Sequence, residues 1–340
     1  MAVPRAVALP ENSNKMKAAV VFRKGEAPKF VTDFAEPKVQ NDHELLMTMR
    51  ASAVKNLDKM RASGQHYSTR HEVFEPKVAG GDGVGLLENG TRVYAIGISG
   101  MIAEKALVSK DVLVPVPDNL DDAPAAALPN AVMGSALALR FRAGMKQGET
   151  VFINGATGVT GKMAVQLAKY YGAKKIIVTG RNEQVLQQLL SLGADETISL
   201  RQDDENLKTY IKKLHKECPI DVVIDYLWGH SAELILEALK SHGGTSHRTR
   251  FVTVGGMAGD TITLSSSILR STDIQLSGSG LGSWSREEVQ SLIAEILPEM
   301  FRLAAEGKLL IDTVSIPLQD IESGWNKAID GGKRLVVLIE

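Results

Sequence analysis

The stretch Val151-Phe-Ile-Asn-Gly-Ala-Thr-Gly-Val-Thr-Gly161 carries residue types arranged to hold an anion. An apolar strand, Val151 to Asn154, runs straight into a glycine-rich turn. An amphipathic helix follows, with Ala164, Leu167, Ala168 and Tyr171 spaced i, i+3, i+4, i+7. That order leaves backbone N–H groups at the helix start without intrahelical partners, and the helix dipole adds positive potential at the same end. The ligand suited to such donors is a dinucleotide pyrophosphate, cradled by Gly155, Ala156, Thr157, Gly158, Val159, Thr160 and Gly161. Gly158 lets a phosphate come close, and Gly161 lets helix and strand pack tightly. Ala156 stands where the G-x-G-x-x-G fingerprint has its first glycine, with Gly155 before it. The alternative is a glycine turn that serves packing alone.

The elements that must position this turn follow from the rest of the 340 residues, a length sufficient for two domains. Residues 16–130 read as β-rich, with apolar segments at Met16–Phe22, Leu45–Ala51, Arg92–Ile96 and Val112–Val116 split by Gly, Pro, Asn and Asp. From about 132 to 280 strand-like runs alternate with helical ones. The strands are Val151–Asn154, Ile176–Thr179, Asp221–Asp225, Phe251–Val254 and Ile274–Ser277. Such alternation predicts a parallel sheet covered on both faces, hence an α/β fold. One long helix, Arg286–Glu306, and two strand-like runs, Ile311–Pro317 and Arg334–Ile339, then return to the β-rich part. The expected division is a disordered extension at 1–15, a β-rich domain of 16–131 with 282–340, and a cofactor domain of 132–281.

Composition narrows the function. A net charge of −1 gives no reason to expect a nucleic-acid or anionic-membrane partner, and no stretch approaches a spanning length of apolar residues. The single cysteine, Cys218, excludes an intrachain disulfide and any multi-cysteine zinc site. The leader Met1–Lys15 has no continuous apolar core and carries Glu11, a poor targeting signal, so a cytoplasmic location is expected.

The chain resembles the medium-chain dehydrogenase/reductases, most of all their zinc-free quinone oxidoreductase branch, over nearly all of Met16 to Glu340. The similarity rests on Met16-Lys-Ala-Ala-Val20, Arg61-Ala-Ser-Gly-Gln-His-Tyr67, Gly80-Gly-Asp-Gly-Val-Gly85 and Ala127-Leu-Pro129. It continues through the turn 155–161, Asp221-Val-Val-Ile-Asp-Tyr-Leu-Trp-Gly229, Gly255-Gly256 and Gly332-Lys-Arg-Leu-Val-Val337. The resemblance implies a GroES-like catalytic domain, a Rossmann cofactor domain and a cleft between them.

The cofactor expected is NADPH. In a dinucleotide fold an acid at the end of the second strand bonds the adenosine ribose of NAD. Here that strand ends in Gly180-Arg181-Asn182, so the acid is missing and a guanidinium stands beside its position, favouring a 2′-phosphate. Relatives carry a tyrosine near the following short strand; this chain has Leu200 there, with Arg201 beside it. Further cofactor contacts are expected from strand-end loops: Tyr226, Gly255, Gly256 and Met257, and Ser277, Gly278 and Ser279. Lys333 either pairs with a phosphate or is a solvated charge.

Zinc alcohol dehydrogenases of the superfamily use a cysteine early in the catalytic domain and a Gly-His-Glu further on. The corresponding regions here read Val54-Lys-Asn-Leu-Asp58 and Gly81-Asp82-Gly83, so thiolate and imidazole ligands are missing and no metal is expected. His66 and His71 share one loop without partners at usable spacing. Without a Lewis acid the expected reaction is hydride transfer from NADPH to an electron-poor quinone or α,β-unsaturated carbonyl, helped by donors to the oxygen that gains charge. The candidates are Tyr67, which the resemblance places at the substrate cleft and which either donates or packs at its rim, and Lys55 and Asn56, which share the family's cleft-asparagine position between them. Two alternatives remain open: an NADPH-binding sensor or structural protein with little turnover, and a zinc-free alcohol dehydrogenase. The family's habit of pairing edge strands nominates Asp273–Ser277 for a homodimer.

Overall fold

The structure, a computed structural model, describes residues 14–65, 73–241, 246–329 and 331–340. The first seven strands are β1 Lys15–Val21, β2 Lys29–Ala35, β3 Glu44–Val54, β4 Lys77–Val78, β5 Asp82–Leu86, β6 Arg92–Gly97 and β7 Lys105–Pro115. Six follow: β8 Thr150–Asn154, β9 Lys175–Gly180, β10 Glu196–Ser199, β11 Val222–Asp225, β12 Thr249–Thr253 and β13 Ile274–Gly278. Two more, β14 Thr313–Pro317 and β15 Arg334–Leu338, close the chain.

The described residues divide into two units. One gathers those up to Ala127, Thr313–Ile329 and Arg334–Glu340. The other holds Leu128–Asp312 with residues 331–333.

In the first unit β3 pairs antiparallel with β5, and β5 with β6, β6 with β7, while the opening half of β3 pairs with β7. The four strands thereby close on themselves. β15 lies on the far side of β3 and carries β14, and β1 forms a small sheet with β2 and β4. The interior is filled by Met47, Met49, Val93, Met101, Ile102, Trp325 and Val337.

The second unit is a six-stranded parallel sheet in the order β10-β9-β8-β11-β12-β13. β8 is buried at every position, as a strand covered on both faces must be. The strands beside it pack Ile177, Val223 and, one strand further out, Phe251 against helices through Leu207, Ile211, Leu214 and Ile235. The strand order reverses beside β8, the first strand of the sheet, and ligands of doubly wound sheets bind at such a switch point.

Three features differ from the expectation. β10 adds a sixth strand beyond the five expected, too short at Glu196–Ser199 to stand out from its polar neighbours. The helix expected over 286–306 runs without interruption from Arg286 to Ala305, but its middle turn, Leu292–Ile296, is widened. Pro298 explains the widening: it has no N–H and its ring crowds the carbonyl one turn earlier. Residues 282–312 group with the parallel sheet, although the sequence placed them with the β-rich part. They are tied there by Arg142 to Glu288, by the Tyr170 hydroxyl to Glu299, and by Gln166 to both backbone groups of Leu310. The extension expected at 1–15 lies outside the described residues up to residue 13, and Lys15 already belongs to β1.

Candidate functional site

The glycine turn is built as its residue types require. Gly155 has φ +83°, a left-handed conformation that favours glycine. Its N–H donates to Thr179 Oγ1 at 3.1 Å, the Thr179 hydroxyl donates to Asn154 Oδ1 at 2.7 Å, and Asn154 Nδ2 donates to Asp225 Oδ1 at 2.8 Å. The entry to the turn is thus pinned to both flanking strands, β9 and β11. Burial pushes the Asp225 carboxyl above its ordinary value, opposed by N–H bonds from Asn154, Leu227 and Trp228. The helix Val159–Tyr170 starts after Gly158, which has no side chain to cap it. A Cβ at Gly161 would sit 2.5 Å from Ala156 Cα, so only glycine lets turn and helix approach this closely. These features fit a pyrophosphate in the manner the sequence implies.

At the end of β9, where the acid is missing, Gly180 lies against Thr157. A Cβ at Gly180 would lie 2.3 Å from Thr157 Cγ2. Arg181 is exposed, and its carbonyl accepts Arg201 Nε at 2.7 Å, which sets two guanidinium-bearing residues side by side. Asn182 caps the helix Glu183–Leu192 by accepting the Val185 N–H.

The other expected cofactor residues of this unit are scattered in role. Gly255, Gly256 and exposed Met257 follow β12 at the ligand-binding end of the sheet. The Tyr226 hydroxyl is buried, shared with Ser135 at 3.1 Å and donated to the Gly134 carbonyl at 3.2 Å, so the ring serves packing between β11 and the helix Asp122–Leu137. Ser277 and Gly278 end β13, while the Ser279 hydroxyl is buried and accepts Trp284 Nε1. Lys333 is exposed beside Gly332, where a Cβ would come within 2.3 Å of the Thr157 carbonyl, so Gly332 lies against the glycine turn. Sequence reasoning missed Lys162, a buried cation in the first turn of the phosphate helix, paired with Asp312 at 3.0 Å. Its only signal was a lysine directly after Gly161.

In the first unit Lys55 follows β3 and caps the helix Asn56–Ser63, its N–H donating to Asp58 Oδ2 at 2.9 Å. Its ammonium is buried. It donates to the Ala53 carbonyl at 2.9 Å, to Asp58 Oδ2 at 3.0 Å and to Asp82 Oδ1. Tyr94 donates its hydroxyl to the other oxygen of Asp82 at 2.7 Å. Arg334, also buried, lies in the field of the same two carboxylates. Two cations and two anions balance there. Burial pulls the Lys55 ammonium down, but Asp58 and Asp82 outweigh it and hold it above its ordinary value. Burial, then Asp82, pushes the Tyr94 phenol well up. Removing one member of such a buried pair typically costs about 3–5 kcal/mol, because the partner charge stays buried.

An ammonium with three oxygens on its three protons has none left for a substrate, so Lys55 is withdrawn from the catalytic candidates. Asn56 is exposed at the helix start. Tyr67, with His66 and His71, lies outside the described residues. Tyr94 and Arg334 were invisible to sequence reasoning. Only the β5–β6 register, with Asp82 opposite Ile96, sets Tyr94 diagonal to Asp82.

The donor set does not fit zinc. The stretches Val54–Asp58 and Gly81–Gly83, where the resemblance implies thiolate and imidazole ligands in the zinc enzymes, hold neither, and an ammonium already fills the space among the oxygens. Among the described residues no group of three or more His, Cys, Asp or Glu side chains is placed to hold a metal ion. No helix among them is long and apolar enough to cross a membrane.

Comparison with known proteins agrees with this architecture. A family model described as zinc-binding dehydrogenase matches residues 159–297. The quinone oxidoreductase of Sus scrofa is 32% identical over 83% of this chain and 85% of its own length. A mitochondrial enoyl-[acyl-carrier-protein] reductase of Arabidopsis thaliana is 27% identical over 92% of this chain and 84% of its own. The quinone oxidoreductase of Thermus thermophilus, solved also in complex with NADPH, superposes with a TM-score of 0.77 at 28% identity, covering 95% of this chain and 100% of that one. The chain is an oxidoreductase that belongs to the quinone oxidoreductase-like branch of the medium-chain dehydrogenase/reductase superfamily.

Proposed function

We propose that this chain is a zinc-independent, NADPH-dependent reductase of quinones or α,β-unsaturated carbonyl compounds. The observation that carries it is the end of β9, where no acid stands and Gly180 packs on Thr157, with Arg181 and Arg201 alongside. Residues 155–161 hold the pyrophosphate, Arg181 and Arg201 take the 2′-phosphate, and the backbone around Gly255 and Gly278 faces the rest of the dinucleotide. When bound, the reduced nicotinamide supplies a hydride. The β-rich unit is the catalytic one, in which Asn56 and Tyr67 offer N–H and O–H donors to the acceptor oxygen as it gains negative charge. The proton then comes from water or from the Tyr67 hydroxyl. β13, an edge strand of its sheet, is the place for pairing with a second copy.

The engagement of Lys55 in internal bonds favours a second reading, an NADPH-binding protein with little turnover, since it removes one of three donors. NADPH oxidation with 9,10-phenanthrenequinone and a panel of enones decides between them. Turnover supports the reductase; tight NADPH binding without turnover supports the sensor. Alcohol-dependent reduction of NADP⁺ would instead mark an alcohol dehydrogenase.

A further inference from the structure

We propose that the Lys55 ammonium is a built-in cation of the β-rich unit, standing where zinc-dependent members of the superfamily bind their metal and closing that place to divalent ions. The inference rests on the metal-independent part of the function proposed above and not on its substrate. Its test reads melting and metal binding, so a failure to reduce quinones leaves it standing.

Three observations meet at this point. First, Lys55 lies in the segment Val54–Asp58 and Asp82 in Gly81–Gly83, the two stretches in which the resemblance implies the ligands of the zinc enzymes. Second, the ammonium is enclosed by oxygen alone: the Ala53 carbonyl at 2.9 Å, Asp58 Oδ2 at 3.0 Å and Asp82 Oδ1. Carboxylates and a carbonyl are the donors of a hard divalent cation, and an ammonium with three protons satisfies the same three directions. Third, the carboxylates are held from behind. Tyr94 donates to Asp82 Oδ2 at 2.7 Å, Ser52 Oγ donates to the Asp82 carbonyl at 2.7 Å, and Asp58 Oδ2 also accepts the Lys55 N–H. The oxygens are therefore fixed by groups other than the ammonium and would survive its removal.

Lys55 on this account is a positioning residue. With Arg334 it balances Asp58 and Asp82, and it ties the end of β3 to the start of β5 and so fixes the helix start at Asn56. A merely structural lysine and a cation surrogate differ in one respect: only the second leaves behind a site that a metal ion can fill.

The test uses the full chain as wild type, Lys55→Ala and Lys55→Ala/Asp82→Asn, melted with and without manganese(II) chloride. Bound Mn²⁺ is counted by loss of the free-ion paramagnetic signal. Wild type should bind no Mn²⁺ and melt unchanged. Lys55→Ala should melt at least about 6 °C lower, bind one Mn²⁺ per chain and recover half or more of the loss. The double variant should melt above Lys55→Ala without metal and ignore Mn²⁺. If Lys55→Ala is insoluble, purification in Mn²⁺ or the added Asp82→Asn should restore folded protein. The proposal is overturned if wild type itself takes up one stabilising Mn²⁺, if Lys55→Ala melts with wild type, if its loss is indifferent to Mn²⁺, or if neither remedy recovers an insoluble variant.

Discussion

Replacing Gly180 by aspartate would supply the acid that NAD-binding folds place at this position, and the structure says why this chain cannot simply accept it. The new Cβ would meet Thr157 Cγ2 at 2.3 Å and Thr157 Oγ1 at 3.1 Å, whereas ordinary contacts begin at 3.4 Å. Thr157 sits in the glycine turn, so an overlap of about 1 Å is relieved by turning the Thr157 side chain or by moving the turn. Overpacking of this kind costs about 1–3 kcal/mol. Gly180→Asp alone should therefore weaken NADPH and NADH together, by about tenfold or more.

Adding Thr157→Ala removes Cγ2 and Oγ1 and leaves the remaining Cβ at 3.3 Å, a tight but tolerable contact. In the double variant the carboxylate is free to bond a ribose hydroxyl and to repel a 2′-phosphate. Two unit charges about 4 Å apart cost about 1 kcal/mol in water and about 4 kcal/mol at an effective dielectric of 20. At this exposed edge the lower end applies, about 1.5–2 kcal/mol for a phosphate near two negative charges, or about 10–30-fold. Fluorescence titration of both nucleotides measures it. NADH affinity should return toward wild type while NADPH affinity stays down. If Gly180→Asp leaves both affinities at wild-type values, or if the double variant still prefers NADPH, the steric and electrostatic account of this strand end is refuted.

Other outcomes follow from the same geometry. Arg181→Ala combined with Arg201→Ala should raise the NADPH dissociation constant about tenfold and change that of NADH by less than about twofold, as measured by calorimetry; equal losses would refute the phosphate role. Tyr94→Phe leaves Asp82 Oδ2 without its buried donor and should cost about 1.5–3 kcal/mol in denaturant unfolding, with NADPH affinity unchanged. His215 has a lowered pKa because burial first, then His247, disfavours its cation, and its Nδ1 accepts the Ile220 N–H at 3.1 Å. The unfolded chain binds that proton more readily, so the stability is complete above about pH 6.5 and is lost as pH falls through the lower folded value. His215→Gln should flatten this acid limb in melting curves taken from about pH 7.5 to 5; an unchanged limb would assign the loss to other groups.

What the sequence by itself determined is the part that depends on local patterns. A buried apolar strand, a glycine turn and a 3.6-periodic helix follow one another in sequence, so Val151–Gly161 announced a strand–turn–helix unit, the one proposed to hold the anion. The alternation of β-branched runs and helices gave the parallel sheet, because strands covered on both faces are apolar throughout. The absent acid at Gly180 and the absent zinc ligands were also legible, since each is a matter of which residue stands at one position. Tertiary structure alone decided what depends on strand pairing. Lys55, Asp58, Asp82, Tyr94 and Arg334 come from distant stretches, and only the antiparallel pairings of β3, β5, β6 and β15 gather them. In the sequence Lys55 read as a donor to substrate; in the fold its charge is spent on two carboxylates. Gly332 likewise reaches the glycine turn from the far end of the chain. Local periodicity records which face of an element is apolar, but partners remote in sequence are set by sheet register, and no single segment encodes that.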